Sequence, residues 1–309
     1  MKHCNHINFF RAILIALMIL IHITHFGDLY PEVKYAILAF IMPTFLVITG
    51  YLVNVNKPVK AFAAYLLKIL LPYGVMVFGF AVLSLYLPVR DGLESFTWPA
   101  LYKVFFITSI GPYWFLHVMM VCGTIYYLSF RLFEKMSVGT RLSVFATLLI
   151  LTALYTPFLA IKPAAYYFIG VLIRVCFKDF SKAYGQSWWA VLPFGLLVSN
   201  PQNHDWGTLA VLACVFCFLS FTTKASELVK GRTLQLMDYI GRNTFPIYIF
   251  HPIFTMLGKY LLPVFSFDST GMVHAAVVVV LGLAGSIGIA QAMDWMHLSY
   301  VFGRKNLLR

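Results

Sequence analysis

The sequence predicts an all-α membrane protein, a bundle of about ten transmembrane helices with both ends of the chain in the cytoplasm. Composition is the first reason: 61% of the 309 residues are hydrophobic and only 11% are charged. Soluble domains carry roughly 25% charged residues, so this chain cannot cover its surface with polar groups. The length and recurrence of the apolar runs and the placement of the basic residues are the other two reasons.

Apolar runs recur along the whole chain, and a helix needs about 20 such residues to cross the hydrocarbon core. The sixth and seventh runs are short, so either they pair with longer neighbours or one of them is re-entrant. The predicted spans are 8–26, 35–54, 62–87, 103–130, 142–161, 164–178, 188–200, 206–223, 244–263 and 272–298.

The basic residues alternate between the segments that join these spans. With the N-terminus inside, about 18 of the 23 Lys and Arg fall in cytoplasmic segments, Lys2 and Lys178 among them. The outer segments hold only Lys34, Arg90, Lys103, Lys162 and Lys259. Because the basic residues form short clusters between apolar runs, the net charge of +12 does not indicate nucleic-acid binding. The lipid bilayer is the expected partner, and the cytoplasmic membrane of a bacterium the expected location.

No long hydrophilic segment or flexible linker divides the sequence, so residues 1–309 are predicted to form a single integral-membrane domain. Cys214 and Cys217 have CxxC spacing but lie inside the apolar run "VLACVFCFLS" without a second pair of ligands. Neither a metal site nor a disulfide framework is expected.

Ionisable residues within a span are costly and by default suggest function. The first span carries Arg11 and His22, eleven residues apart, which places both on one helix face about 16 Å apart along the axis. This pattern suits an anionic donor held at the cytoplasmic mouth and a reaction at the histidine. A structural interpretation stays open, with Arg11 as an end anchor and His22 bonded to a carbonyl. His25 is an interfacial polar residue or a partner that orients His22.

Five segments in order resemble the signatures of the membrane-bound acyltransferase family 3, bacterial inner-membrane enzymes that O-acylate cell-surface glycans. The first is the pair Arg11 and His22. The others are "IMPTFLVITGYLVN" at 41–54, "YWFLHVMM" at 113–120, "YYFIGVLIR" at 166–174 and "IGRNTFPIYIFHPIF" at 240–254. The resemblance covers nearly the whole chain and implies a short form without the periplasmic hydrolase-like domain of larger members.

The resemblance also implies roles for matched residues. His22 would be the catalytic base and Arg11 would contact the phosphates of acyl-coenzyme A, with Arg174 as a second phosphate contact or an ordinary anchor. Trp114 and Tyr113 would line an acceptor groove, or else belong to an interfacial belt. His251 would lie in the site or have a structural role beside Pro252. His25 would lie near His22, and Thr49 and Tyr51 of the second span would pack beside the site.

The function so implied is O-acyl transfer, most simply O-acetyl transfer from acetyl-coenzyme A to a sugar hydroxyl of a polysaccharide or exopolysaccharide. Acetyl-coenzyme A would be a donor substrate, and no tightly bound cofactor is expected. Proteins of polysaccharide synthesis or export are possible partners. The alternatives are a transporter or flippase for a glycan or lipid, and a non-catalytic subunit of a polysaccharide export complex.

Overall fold

Helices account for 79% of the chain in the computed structural model. It describes residues 2–87, 91–177 and 179–309, with side chains from His6 onward, and within these residues it contains no β-strand. Arg90 and Lys178, counted above, and the side chain of Lys2 lie outside this part. The predicted all-α class is confirmed. The α-helices described are α1 (Lys2–Ile21), α2 (Thr24–Leu29), α3 (Pro31–Leu52), α4 (Val59–Leu83), α5 (Trp98–Lys103), α6 (Trp114–Leu132), α7 (Val138–Tyr155), α8 (Ile161–Cys176), α9 (Val191–Val198), α10 (Leu209–Leu228), α11 (Gly231–Arg242), α12 (Thr244–Leu257) and α13 (Met272–Trp295).

Seven helical segments of the described residues are long and apolar enough to cross a bilayer. Three predicted spans are shorter: the first keeps an apolar helix of His6–Ile21, the sixth is α8 with 16 residues, and the seventh keeps Trp188–Val198. The protein is therefore a multi-pass membrane protein. The count of about ten spans and the orientation stay predictions. The seven segments are Pro31–Leu52, Val59–Leu83, Gly111–Leu132, Val138–Tyr155, Leu209–Leu228, Thr244–Phe265 and Met272–Trp295.

Two predicted spans prove to be interrupted. The span predicted at 8–26 divides at His22 into α1 and α2. The span predicted at 103–130 becomes one long helix only from about Gly111 onward, because Ser109 and Gly111 have φ angles of 53° and 56°. Residues with positive φ cannot continue a right-handed helix, so the chain turns there before α6 begins.

Helix α11 lies outside the predicted spans, which place its residues in a cytoplasmic loop. Its 12 residues are too few to span a bilayer, and its buried positions are Ile240 and Gly241. A Cβ atom on Gly241 would collide with the backbone carbonyl of Asn8, so only glycine permits this approach to α1. Helix α11 therefore packs along the first half of α1.

The described chain divides into two compact units. The first comprises Met1–Phe45, Phe177–Ser299 and Lys305–Arg309, and the second comprises Leu46–Cys176 and Tyr300–Arg304. The prediction of a single domain over residues 1–309 stays a prediction.

Helix α1 is the centre of the first unit and packs against α10, α11, α12 and α13. Its buried side chains include Phe10, Leu14 and Ile15, none of which has accessible surface. On α13, a Cβ atom at Gly282 would lie 3.0 Å from Ile19 Cγ2, closer than most Cβ contacts. Small residues allow such close packing between membrane helices, and they hold α1 firmly among its neighbours.

In the second unit, a pair of glycines brings α3 and α8 together. A Cβ atom at Gly50 would collide with the carbonyl oxygen of Tyr167, and one at Gly170 would collide with that of Val47. Each glycine therefore lies directly against the backbone of the other helix. These are the glycines of the segments "IMPTFLVITGYLVN" and "YYFIGVLIR", whose place in the sequence gives no sign that they meet.

We expect Gly50→Ala and Gly170→Ala each to lower the free energy of unfolding by about 1–3 kcal/mol, because the added methyl group must displace backbone atoms. Thermal unfolding of the purified protein in detergent measures the effect. Gly74→Ala and Gly79→Ala are matched controls within α4, since neither added methyl group would meet an atom within 4 Å. Equal unfolding temperatures for Gly50→Ala and Gly74→Ala would contradict this packing.

Candidate active site

The backbone of α1 changes its hydrogen-bond pattern at His22. In a continuous α-helix the His22 N–H would bind the carbonyl of Met18, four residues earlier. Here it binds the carbonyl of Ile19 at 3.0 Å, and the chain then starts α2. The carbonyl of Met18 thereby loses its helical donor, and a carbonyl without a partner inside a membrane protein is costly.

The imidazole of His22 takes the place of that donor. Its Nδ1 atom lies 2.6 Å from the Met18 carbonyl oxygen. A carbonyl can only accept, so Nδ1 carries the hydrogen, and in the neutral ring Nε2 carries the lone pair. A fixed tautomer with its basic nitrogen on the far side of the ring is the arrangement that a general base requires.

A second histidine, His251 of α12, lies against the first. The ring centroids of His22 and His251 are 5.2 Å apart in an edge-to-face arrangement. His251 is fully buried, and its Nδ1 donates to the carbonyl of Tyr248 at 2.8 Å. That carbonyl is available because its helical donor would be residue 252, and Pro252 has no N–H. Among the described residues, no group forms a hydrogen bond with His251 Nε2.

The two imidazoles therefore have the same hydrogen-bond pattern. Each donates from Nδ1 to a backbone carbonyl of its own helix that has no backbone donor. Pro252 lies inside α12, and the His251 ring supplies a donor to its backbone, so a structural role for His251 stays open beside a role in the site. The ring also lies edge to face on that of His22. Both histidines are site candidates by sequence, but their positions in the chain do not indicate that they meet.

The predicted role of His25 as a residue near His22 stays a prediction. In the structure its ring packs edge-to-face on His274 of α13, with centroids 5.6 Å apart. His274, which the sequence analysis missed, is buried and donates from Nε2 to the carbonyl of Gly258 at 2.9 Å. The sequence could have indicated His274 as a candidate, because it is an ionisable residue within the apolar run "MVHAAVVVV" and such residues suggest function.

Arg11 lies on the same helix, nearly three turns before His22, as the sequence predicts. It is partly buried, and within the described part of the chain its guanidinium forms no hydrogen bond or ion pair. Asp238, the carboxylate of α11, has other partners: it accepts a hydrogen bond from Asn8 Nδ2 at 2.8 Å and forms an ion pair with Arg242. An unpaired cation in this position is suited to an anionic ligand.

The other candidates belong to the second unit. Arg174 is exposed near the end of α8, with its guanidinium 5.4 Å from the ring centroid of Tyr51. Tyr113 is fully buried and packs against Phe80, with centroids 5.5 Å apart, so its ring face has no accessible surface. Trp114, the first residue of α6, is partly exposed. Their roles in binding stay predictions.

A comparison with protein families provides the decisive observation. The model of family 3 of the acyltransferases, described as an acyltransferase domain, matches residues 5–291. The chain belongs to this acyltransferase family. No curated protein and no solved structure matches the acyltransferase. The matched range contains Arg11, His22 and His251, so the segments recognised in the sequence lie inside it.

Membership makes the protein a membrane acyltransferase and gives the edge-to-face histidines a chemical context. An acyltransferase that acts on a hydroxyl group must remove a proton from that group, and a histidine is suited to this because it titrates near neutral pH. Among the described residues, no group of three or more His, Cys, Asp or Glu side chains could hold a metal ion.

We expect ¹⁵N NMR of histidine-labelled acyltransferase to show His22 and His251 with the proton on Nδ1, because each donates to a carbonyl from that atom. The variants His22→Gln and His251→Gln assign the signals. His204 is the matched control, because its Nε2 lies 2.8 Å from the carbonyl of Val198 and should carry the proton there. A His22 signal with the proton on Nε2 would contradict the proposed basic nitrogen.

Proposed function

We propose that this acyltransferase moves an acyl group, most simply acetyl, from cytoplasmic acyl-coenzyme A to a sugar hydroxyl of a cell-surface glycan or its lipid-linked precursor, with His22 as the base. The hydrogen bond from His22 Nδ1 to the Met18 carbonyl is the observation that carries this proposal. It fixes the tautomer, so the lone pair of the neutral ring lies on Nε2.

In the proposed reaction, His22 Nε2 accepts the proton of the sugar hydroxyl while the hydroxyl oxygen attacks the thioester carbonyl. The carbon–sulfur bond then breaks, and the imidazolium returns the proton to the departing thiolate. The Met18 carbonyl accepts from Nδ1 throughout and so stabilises the charged ring, as a carboxylate does in hydrolase triads. A route through an acyl-histidine would use the same nitrogen as nucleophile.

His251 supports this chemistry as a neighbour of the base. It is fully buried, and its Nδ1 is already bound to the Tyr248 carbonyl. It therefore supports the ring of His22 edge to face, with the ring centroids 5.2 Å apart.

The donor would be held by Arg11, about 16 Å along α1 from His22. A guanidinium binds phosphate oxygens through paired N–H groups, and coenzyme A offers both a pyrophosphate and a phosphate monoester. Arg174 as a second phosphate contact, and Trp114, Tyr113 and His25 as acceptor contacts, are parts of the same proposal. So are the bacterial inner membrane as location and proteins of polysaccharide synthesis or export as partners.

Asp294, near the end of α13, lies within the predicted tenth span, where a carboxylate could serve the ion site of a transporter. Its two oxygens accept the backbone N–H groups of Leu307 at 2.6 Å and Leu308 at 3.0 Å, and Ser299 also donates to it. Asp294 therefore holds the end of the chain, and the acyltransferase remains the function that the residues support best.

We expect His22→Ala to lower acyl transfer from acetyl-coenzyme A by about 10²–10⁴-fold, the usual contribution of a general base. Donor binding should remain, because Arg11 is untouched. Arg11→Gln should instead weaken donor binding. The assay uses purified protein in lipid nanodiscs, with radiolabelled acetyl-coenzyme A and both acetyl transfer and hydrolysis as readouts.

His204→Ala is the matched control, since it removes a histidine that binds a carbonyl outside α1 and α12. It should retain wild-type turnover. Wild-type activity in a folded His22→Ala protein would refute the role of His22 as base. Failure of the folded wild type to bind acetyl-coenzyme A would refute the choice of donor.

A further inference from the structure

The first turn of α13 contains a buried histidine with one bonded and one unbonded ring nitrogen. His274 Nε2 donates to the carbonyl of Gly258 at 2.9 Å, which leaves the lone pair of the neutral ring on Nδ1. In this tautomer Nδ1 can only accept a hydrogen bond. It is buried, and among the described residues no group donates to it.

Polar groups around the start of α13 have partners of their own. Asp268 accepts the backbone N–H groups of Val273 at 2.7 Å and His274 at 3.1 Å, and the Tyr30 hydroxyl donates to the carbonyl of Thr270 at 2.9 Å. A buried acceptor without a donor is costly, so folded proteins rarely keep one unless something binds there. The unbonded Nδ1 atom therefore indicates a ligand.

His25 of α2 lies on the ring of His274. The two ring centroids are 5.6 Å apart in an edge-to-face arrangement. Gly271 makes room for His25, because a Cβ atom there would lie 3.1 Å from both Cδ2 and Nε2 of the imidazole. His25 is partly exposed, and within the described part of the chain its ring nitrogens form no hydrogen bond. Since no such bond holds the ring, it is free to turn and admit a ligand to His274 Nδ1.

The two rings determine which ligand would fit. His274 Nδ1 needs an O–H or N–H donor, so an anion without a hydrogen atom, such as sulfate, cannot bind to it. The neutral ring of His25 offers one donor and one acceptor. A hydroxyl group both donates and accepts, so a single hydroxyl can bond to both rings. The Phe265 ring, with its centroid 5.8 Å from that of His274, adds an apolar wall for the carbon-bound hydrogens of the ligand.

We infer that His274 and His25 bind one hydroxyl group of the sugar acceptor, with His274 Nδ1 accepting its hydrogen. That the sugar is the acceptor of the acyl group rests on the proposed function. His25 follows His22 by three residues, so their Cα atoms are at most about 11 Å apart, and a sugar held at His25 can reach the proposed base. Helix α13 also packs against α1 and α12, which carry the two other imidazoles.

¹⁵N NMR of the histidine-labelled acyltransferase in phosphatidylcholine nanodiscs, without coenzyme A, tests the site directly. The probes are the methyl glycosides of glucose, galactose, mannose and N-acetylglucosamine. One of them should move the Nδ1 signal of His274, whereas sulfate should not. The signals of His204, whose Nε2 also bonds to a carbonyl, should stay unchanged. A His274 signal that none of the four glycosides moves would overturn the inference.

Variants of His274 measure its share of the binding, with Kd taken from saturation-transfer NMR of the glycoside. His274→Phe keeps an aromatic ring but loses both nitrogens, and it should raise Kd about tenfold or more. His274→Gln should restore part of the affinity, because its amide both donates and accepts. His204→Phe is the matched control, since it loses the same kind of bond to a carbonyl and should change Kd less than about twofold. Equal Kd values for wild type and His274→Phe would contradict the site, and the wild-type titration decides if His274→Phe does not fold.

His25→Phe tests whether the two rings share one hydroxyl. It keeps a ring over His274 but removes the nitrogens, so it should weaken glycoside binding. Combined with His274→Phe it should bind hardly more weakly than His274→Phe alone, because both bonds go to the same group. Losses that add would show two separate contacts and refute the shared site.

The outcomes also separate this inference from the proposed function. If the protein binds and hydrolyses acetyl-coenzyme A but no glycoside moves the His274 signal, the inference is wrong and the proposed donor stands. If a glycoside binds at His274 but acetyl-coenzyme A does not bind, the proposed donor is wrong and the sugar site stands.

Discussion

The hydrogen bond between His22 Nδ1 and the Met18 carbonyl is the interaction on which the proposed chemistry of this acyltransferase depends. A membrane helix that stops before the chain has left the hydrocarbon region must supply donors for its last carbonyls. Here the donor is the imidazole of the residue at the break. One bond therefore completes the helix end, orients the ring and determines which nitrogen is basic.

Helix α12 meets the same constraint by a different route. Pro252 removes the N–H that would bind the Tyr248 carbonyl, and His251 supplies the missing donor from its ring. Because α1 and α12 pack together, the two imidazoles meet edge to face. In each helix a histidine ring thus supplies the hydrogen-bond donor that a backbone carbonyl lacks. The packing of the two helices then brings these rings together.

The opposite end of α1, near Asn8, packs against α11. There Gly241 lets α11 approach the backbone of Asn8, and the residues that follow α11 hold the end of the chain. Arg11 lies in this part of α1, nearly three helical turns before His22. In the proposed reaction, α1 therefore sets the distance between the phosphate groups of the donor and the site of proton transfer.

Sequence alone determined what depends on local pattern. Hydropathy gave the helical membrane class, and the spacing of Arg11 and His22 gave their common face, because both follow from helical periodicity. Tertiary structure alone decided what depends on packing between distant segments. The meeting of His22 with His251, the contacts of Gly50 and Gly170 with the backbone of the facing helix, and the existence of α11 are of this kind. Periodicity says which residues share a face of one helix, but the neighbour of that face is set only when the helices pack.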